Sequence, residues 1–182
     1  MGRLRGVLIA ALAAAVVAGC GSSAAAGPPP TLPTGAVPYL TSSVKPLSPA
    51  RLAREAGDPT FARRLRRWGF QAGADRYFQG ESRRLQVVDS RTLRFRGSDG
   101  ATAFVTFMRT HLNPILGSFP QVSGYLSRGR RGILAVAQEC QCHLANPTFL
   151  AVVVHRGIVS WLEINGPAAT RGRVKTLLAR AP

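Results

Sequence analysis

The chain has 182 residues, with 24 Lys and Arg against 8 Asp and Glu, and a formal net charge of +16. That length holds one domain rather than two, and an apolar share of 46% excludes a wholly disordered chain. No apolar run approaches the ~20 residues of a membrane span, which excludes a polytopic membrane protein.

All the basic residues except Lys45 and Lys175 are arginine. Biased codon use explains arginine in place of lysine, but it does not explain the shortage of acids. An electropositive surface is therefore expected, and polyanionic partners stay open.

The chain begins with Arg3 and Arg5, followed by an apolar stretch from Val7 to Val17. The stretch has the length of a signal h-region and is too short to cross a bilayer. It runs into Val17-Ala18-Gly19-Cys20, which resembles the lipobox of bacterial lipoproteins. The resemblance implies cleavage before Cys20, acylation of its thiol, and a mature protein anchored on the outer side of the cytoplasmic membrane. The partners expected there are membrane lipid through Cys20, a cell-envelope protein or an anionic wall polymer. Nucleic acid is not among them. An ordinary secretory signal with an incidental Cys is the alternative.

Residues 21–47 are rich in Ala, Ser, Gly and Pro and show neither helical nor strand period. They read as a semi-extended spacer. The expected organisation is a signal peptide at 1–19, a lipidated Cys and tether at 20–47, and one α+β domain at 48–182.

Ser48-Pro49 and Asp58-Pro59 each read as an N-cap followed by a first helical residue. The second helix places Phe61, Leu65 and Trp68 on one face and Arg63, Arg64, Arg66 and Arg67 on the other. Residues 70–78 read as irregular or as a short strand, and 84–95 as β-forming with a bend at Asp89-Ser90. From Ser98 or Asp99 a helix is expected, with Ala101, Phe104, Val105, Met108 and Leu112 at helical spacing and Pro114 as its end. A loop over 113–132 follows, then strands at 133–142, 149–155 and 158–164, the last two forming a hairpin at Arg156-Gly157. Pro167 is read as opening a C-terminal helix carrying Val174, Leu177 and Leu178.

Strand 149–155 is apolar on both alternating sets, so both its faces should be covered. The predicted class is α+β, a mainly antiparallel sheet covered by helices. The order of Trp68-Gly69-Phe70, residues 95–103, residues 122–125 and Gly166-Pro167 is also similar to that of actinobacterial secreted lipoproteins. Among these a sandwich resembling the PsbP and Mog1 folds is common. That resemblance implies no catalytic residues.

Cys140-Gln141-Cys142-His143 is the sharpest local pattern. With Cys20 acylated, two thiols remain in an oxidising compartment, and a local disulfide between Cys140 and Cys142 is the first reading. A fully extended strand would separate their Cα atoms by ~6.5–7 Å, so the bridge requires a bend. Zinc held by Cys140, Cys142 and His143 with His155 or His111, a redox-active pair, and two free thiols are the alternatives. A small metal- or thiol-dependent enzyme would use these same residues.

No phosphate loop, nucleophile elbow or His-Glu-x-x-His helix is present, and no cofactor is expected. Arg63, Arg64, Arg66 and Arg67, with Arg128, Arg130 and Arg131, are candidate contacts to an anionic lipid or polymer. The competing reading of these arginines is a solvated face. The function expected is non-catalytic binding, with the working surface between the sheet and the 113–132 loop. An electrostatic envelope adaptor is the rival.

Overall fold

Ser48 and Asp58 act as the capping logic demands. The Ser48 hydroxyl accepts from the Arg51 amide at 3.2 Å, and the Asp58 carboxylate accepts from the Thr60 amide at 2.8 Å. Each satisfies a donor that the first helical turn leaves open, and the following proline has no N–H to lose. The computed structural model describes residues 27–116, 121–127, 129–137 and 146–182.

The strands are β1 (Thr41–Leu47), β2 (Phe70–Gln79), β3 (Val87–Phe95), β4 (Gln121–Ser127), β5 (Arg130–Ala137), β6 (Thr148–His155) and β7 (Ile158–Asn165). The helices are α1 (Pro49–Glu55), α2 (Pro59–Arg67), α3 (Ser98–Leu116) and α4 (Arg171–Leu178), with one 3₁₀ turn at Thr34–Ala36. The strands form a single antiparallel sheet in the order β1-β2-β3-β7-β6-β5-β4. This is the α+β class that the alternation of helical and strand patterns predicts.

Both sheet faces are covered, as strand β6 requires. Leu150, Val152 and Val154 join a core with Phe61, Leu65, Phe104 and Met108 beneath α1, α2 and α3. Ala151 and Val153 join a second core with Leu162, Ile164, Val174 and Leu177 beneath α4. An aromatic cluster ties α2 to α3, with Phe61 stacked 5.2 Å from Phe107 and Trp68 edge-on to Phe104 at 6.4 Å. The β6–β7 turn has both central residues left-handed, Arg156 at φ 46° and Gly157 at φ 79°, as a two-residue hairpin of the primed type needs.

Several boundaries differ from the sequence reading. The fold begins before Ser48, because Leu32, Val37 and Leu40 are buried in the α4-side core. The β1 strand then pairs along β2 from Thr41 to Leu47. The tether reading therefore runs too far. Pattern alone misses β1 because six of its seven side chains are exposed, and backbone pairing holds it rather than burial.

The β2 strand is a full ten-residue strand, and β3 runs unbroken through Asp89-Ser90. The 113–132 segment contains the end of α3, which runs on to Leu116, and the whole of β4. The last helix starts at Arg171, capped by the Thr170 hydroxyl accepting from the Arg173 amide at 3.0 Å, rather than at Pro167.

Candidate functional site

Among the described residues the α3 helix packs on β3, β7, β6 and β5, and no comparable packing reaches the last strand, β4, on that side. The gap is a groove of about 350 Å³. Val105 and Arg109 of α3 form one wall, Gly124 and Leu126 of β4 the other, with Ile133 and Arg131 of β5 on the floor.

Pairing explains who faces it. Leu126 lies opposite Arg131 and Gly124 opposite Ile133, so all four belong to the α3 side of the pleat. A Cβ built on Gly124 would meet nothing within 4 Å, so the missing side chain is open groove. Leu126 is 83% exposed and Val122 39%. Among the described residues no Asp or Glu lines the groove, and Arg109 and Arg131 are both exposed.

The opposite side of the same sheet end carries a second cationic concavity. Tyr125 and Ser127 of β4 meet Arg130, His155, Lys175 and Arg180 around a cleft of about 690 Å³, again without an acid among its described lining residues.

The acids are gathered elsewhere. On the α1 side of the sheet, Asp75, Arg51, Glu55, Arg91 and Asp89 form an alternating chain of ion pairs at 2.7–2.8 Å. Asp75 and Asp89 are each 6% exposed, and Oδ1 of each lacks a hydrogen-bond partner among the described residues. Burial pushes the Asp89 carboxyl up to about 8 against the pull of Arg91, and the neighbouring Asp75 and Glu163 carboxylates push the same way. The Arg91 guanidinium stacks 5.1 Å from the centroid of the Trp161 ring. A cavity of about 180 Å³ adjoins the cluster, lined by Glu55, Arg91, Phe61, Phe104 and Trp161 among others. The cluster pins α1 to β2 and β3, and both of its arginines are engaged within it.

The sequence-predicted site residues fall as follows. Arg63, Arg64, Arg66 and Arg67 are exposed on α2, and the Arg64 guanidinium lies 5.3 Å from the Phe107 ring centroid. Arg131 lines the groove. Arg130 is committed elsewhere: it donates to the carbonyls of Leu178 and Ala181, the latter at 2.7 Å, clamping the C-terminal end of α4. Among the described residues, α2 packs beside β2 while Arg131 is on β5, with three strands between. His111 stacks on Phe107 at 4.0 Å, and His155 places Nδ1 3.2 Å from the Gly129 carbonyl. Cys20, Arg128, Cys140, Cys142 and His143 lie outside the described residues.

Sequence reasoning missed Arg109, Gly124 and the buried Asp75, and it read Asp89 as a bend rather than as a buried acid. Asp75 carried a usable signal, an acid set among strand formers. Arg109 carried none, since its importance comes from where α3 crosses the sheet.

No protein-family model matches the chain, and comparison with curated proteins gave no significant match. Among solved structures, the chain is similar to the extracellular domain of PknH from Mycobacterium tuberculosis. The TM-score is 0.51 and the identity 14%, over 81% of this chain and 86% of that one. At that identity the likeness concerns the fold.

Proposed function

We propose that the chain is a non-catalytic, extracytoplasmic binding domain, held to the membrane by a lipid on Cys20. Its working surface is the groove between α3 and the β4–β5 hairpin, and its partner is anionic. The observation that carries this reading is the composition of that groove. Its walls are apolar at Val105, Leu126 and Ile133, its open positions are cationic at Arg109 and Arg131, and among the described residues no acid lines it. Apolar walls reward desolvation, while two exposed guanidinium groups select charge and geometry. The fold shared with an extracellular domain supports the compartment, and so does the lipobox-like segment ending at Cys20.

Dodecyl phosphate, used below its micelle concentration, is a suitable calorimetric probe because it combines an anionic head with an apolar chain. We expect the double variant Arg109→Ala, Arg131→Ala to bind about tenfold more weakly or worse, since each charge-assisted contact is worth ~1.5–3 kcal/mol. Gly124→Leu should abolish binding while leaving the melting temperature unchanged or slightly raised. Its Cβ points into open space, and a strand interior gains from losing a glycine. No binding by the parent protein, or undiminished binding by Gly124→Leu, overturns the groove assignment.

A further inference from the structure

The two edges of the sheet are built differently. The β1 edge carries Lys45 and Pro46, a charge and a residue with no N–H to offer, and these are standard protections against strand addition. The β4 edge, Gln-Val-Ser-Gly-Tyr-Leu-Ser, carries neither charge nor proline. Among the described residues no strand lies beyond it, so every second backbone N–H and C=O along it points outward with no ladder partner among those residues. Leu126 and Val122 stand exposed on one side of this edge, while Tyr125 packs toward the α4-side core on the other.

A strand added here would present alternate side chains to two surroundings. On the α3 side it would meet Arg109 and Arg131, and on the α4 side Lys175 and Arg180. Both surroundings are cationic, and among the described residues neither is lined by an acid. A lipid headgroup or a small anion would engage one of them; an extended polypeptide engages both, because its side chains alternate at each residue. Self-pairing of two β4 edges would instead bring four such cationic surroundings together.

From this geometry we infer that β4 is the docking edge for an extended, acidic polypeptide segment, which adds to the sheet as an eighth strand. The proposal rests on the groove reading and specifies its partner. Main-chain hydrogen bonds to residues 121–127 give the pairing, and acidic side chains on both faces give the selectivity.

The test uses the full chain and two synthetic peptides of equal charge. One is seven residues with Glu and Val alternating in pairs, Glu-Glu-Val-Val-Glu-Glu-Val, which puts Glu on both faces of a strand, and the other has Pro in place of every Val. Binding is followed by calorimetry, and amide hydrogen exchange across residues 121–127 by mass spectrometry. The alternating peptide is expected to bind and to slow β4 exchange at least tenfold, and the proline peptide to give no protection. Leu126→Glu, which removes an apolar contact and repels the incoming acid, should weaken binding at least tenfold with an unchanged melting temperature.

Equal binding of both peptides, or binding without β4 protection, would reduce the contact to charge alone and overturn strand addition. Concentration-dependent β4 protection without peptide would overturn it in favour of a second copy of the chain. If dodecyl phosphate still occupies the groove but the alternating peptide fails, the groove reading stands and the strand proposal falls. If both fail, both fall.

Discussion

Asp89 lies on β3 between Tyr77 of β2 and Glu163 of β7, on the side of the sheet that α1 covers. It pairs with Arg91 at 2.8 Å, yet the withdrawal of water outweighs that cation and holds the carboxyl protonated up to about pH 8. An unfolded Asp titrates near 3.8, so between these values the folded chain binds a proton that the unfolded chain has released. Stability from this group is complete below pH 4 and is lost as pH rises toward 8. The melting temperature of the parent protein should therefore fall between pH 5 and pH 8.5, by an amount on the order of a few kcal/mol in unfolding free energy. Asp89→Asn, which is neutral throughout, should flatten that dependence and match or exceed the parent at pH 8. A parent profile as flat as the variant's would contradict the assignment. The same acid explains a limit of sequence reading. Asp89 and Glu163 are 74 positions apart, and only the β3–β7 register makes them neighbours.

The elements legible in the sequence were those whose ends carry chemistry. Ser48-Pro49, Asp58-Pro59 and Arg156-Gly157 mark boundaries because a cap or a left-handed turn needs particular residue types, and the structure places a helix start or hairpin at each. Strand β6 announced its burial through apolar residues on both faces. The β1 and β4 strands were illegible because an edge strand needs little burial; their ladder bonds depend on partners distant in sequence. The 3₁₀ turn at Thr34–Ala36 was hidden by its Pro/Gly/Ala composition, which a spacer shares. The groove was half legible. The 113–132 stretch was singled out as the working region, but Arg109 and the space at Gly124 follow from how α3 crosses the sheet. One consequence separates the observed boundary from the expected one. Leu32 is fully buried and its amide donates to the Ser90 hydroxyl at 3.1 Å, so Leu32→Ala should cost about 2–4 kcal/mol in urea denaturation. A spacer residue would cost nothing measurable.

At the scale of the molecule, the charge is sharpened by where the acids are spent. Of the eight, Glu55, Asp75, Asp89 and Glu163 gather on the α1 side of the sheet, while Asp58 and Asp99 serve the first turns of α2 and α3. Little negative charge is left to answer the arginines on the surface. A lipid on Cys20 and the arginine face of α2 would both hold such a molecule to a membrane, and fractionation separates them. Cys20→Ala should move the protein to the soluble fraction, whereas the parent should stay with membranes in 1 M salt. If Cys20→Ala stays bound at low salt and is released at high salt, α2 adhesion is the stronger hold. Retention in both conditions would remove Cys20 as the anchor. The burial of Leu32 has a further consequence for such an attachment. Twelve peptide steps separate Cys20 from Leu32, a span that cannot exceed about 43 Å. The domain would patrol a thin shell over the bilayer, at a high effective concentration toward whatever is rooted in that shell, and targets beyond it would have to come within reach.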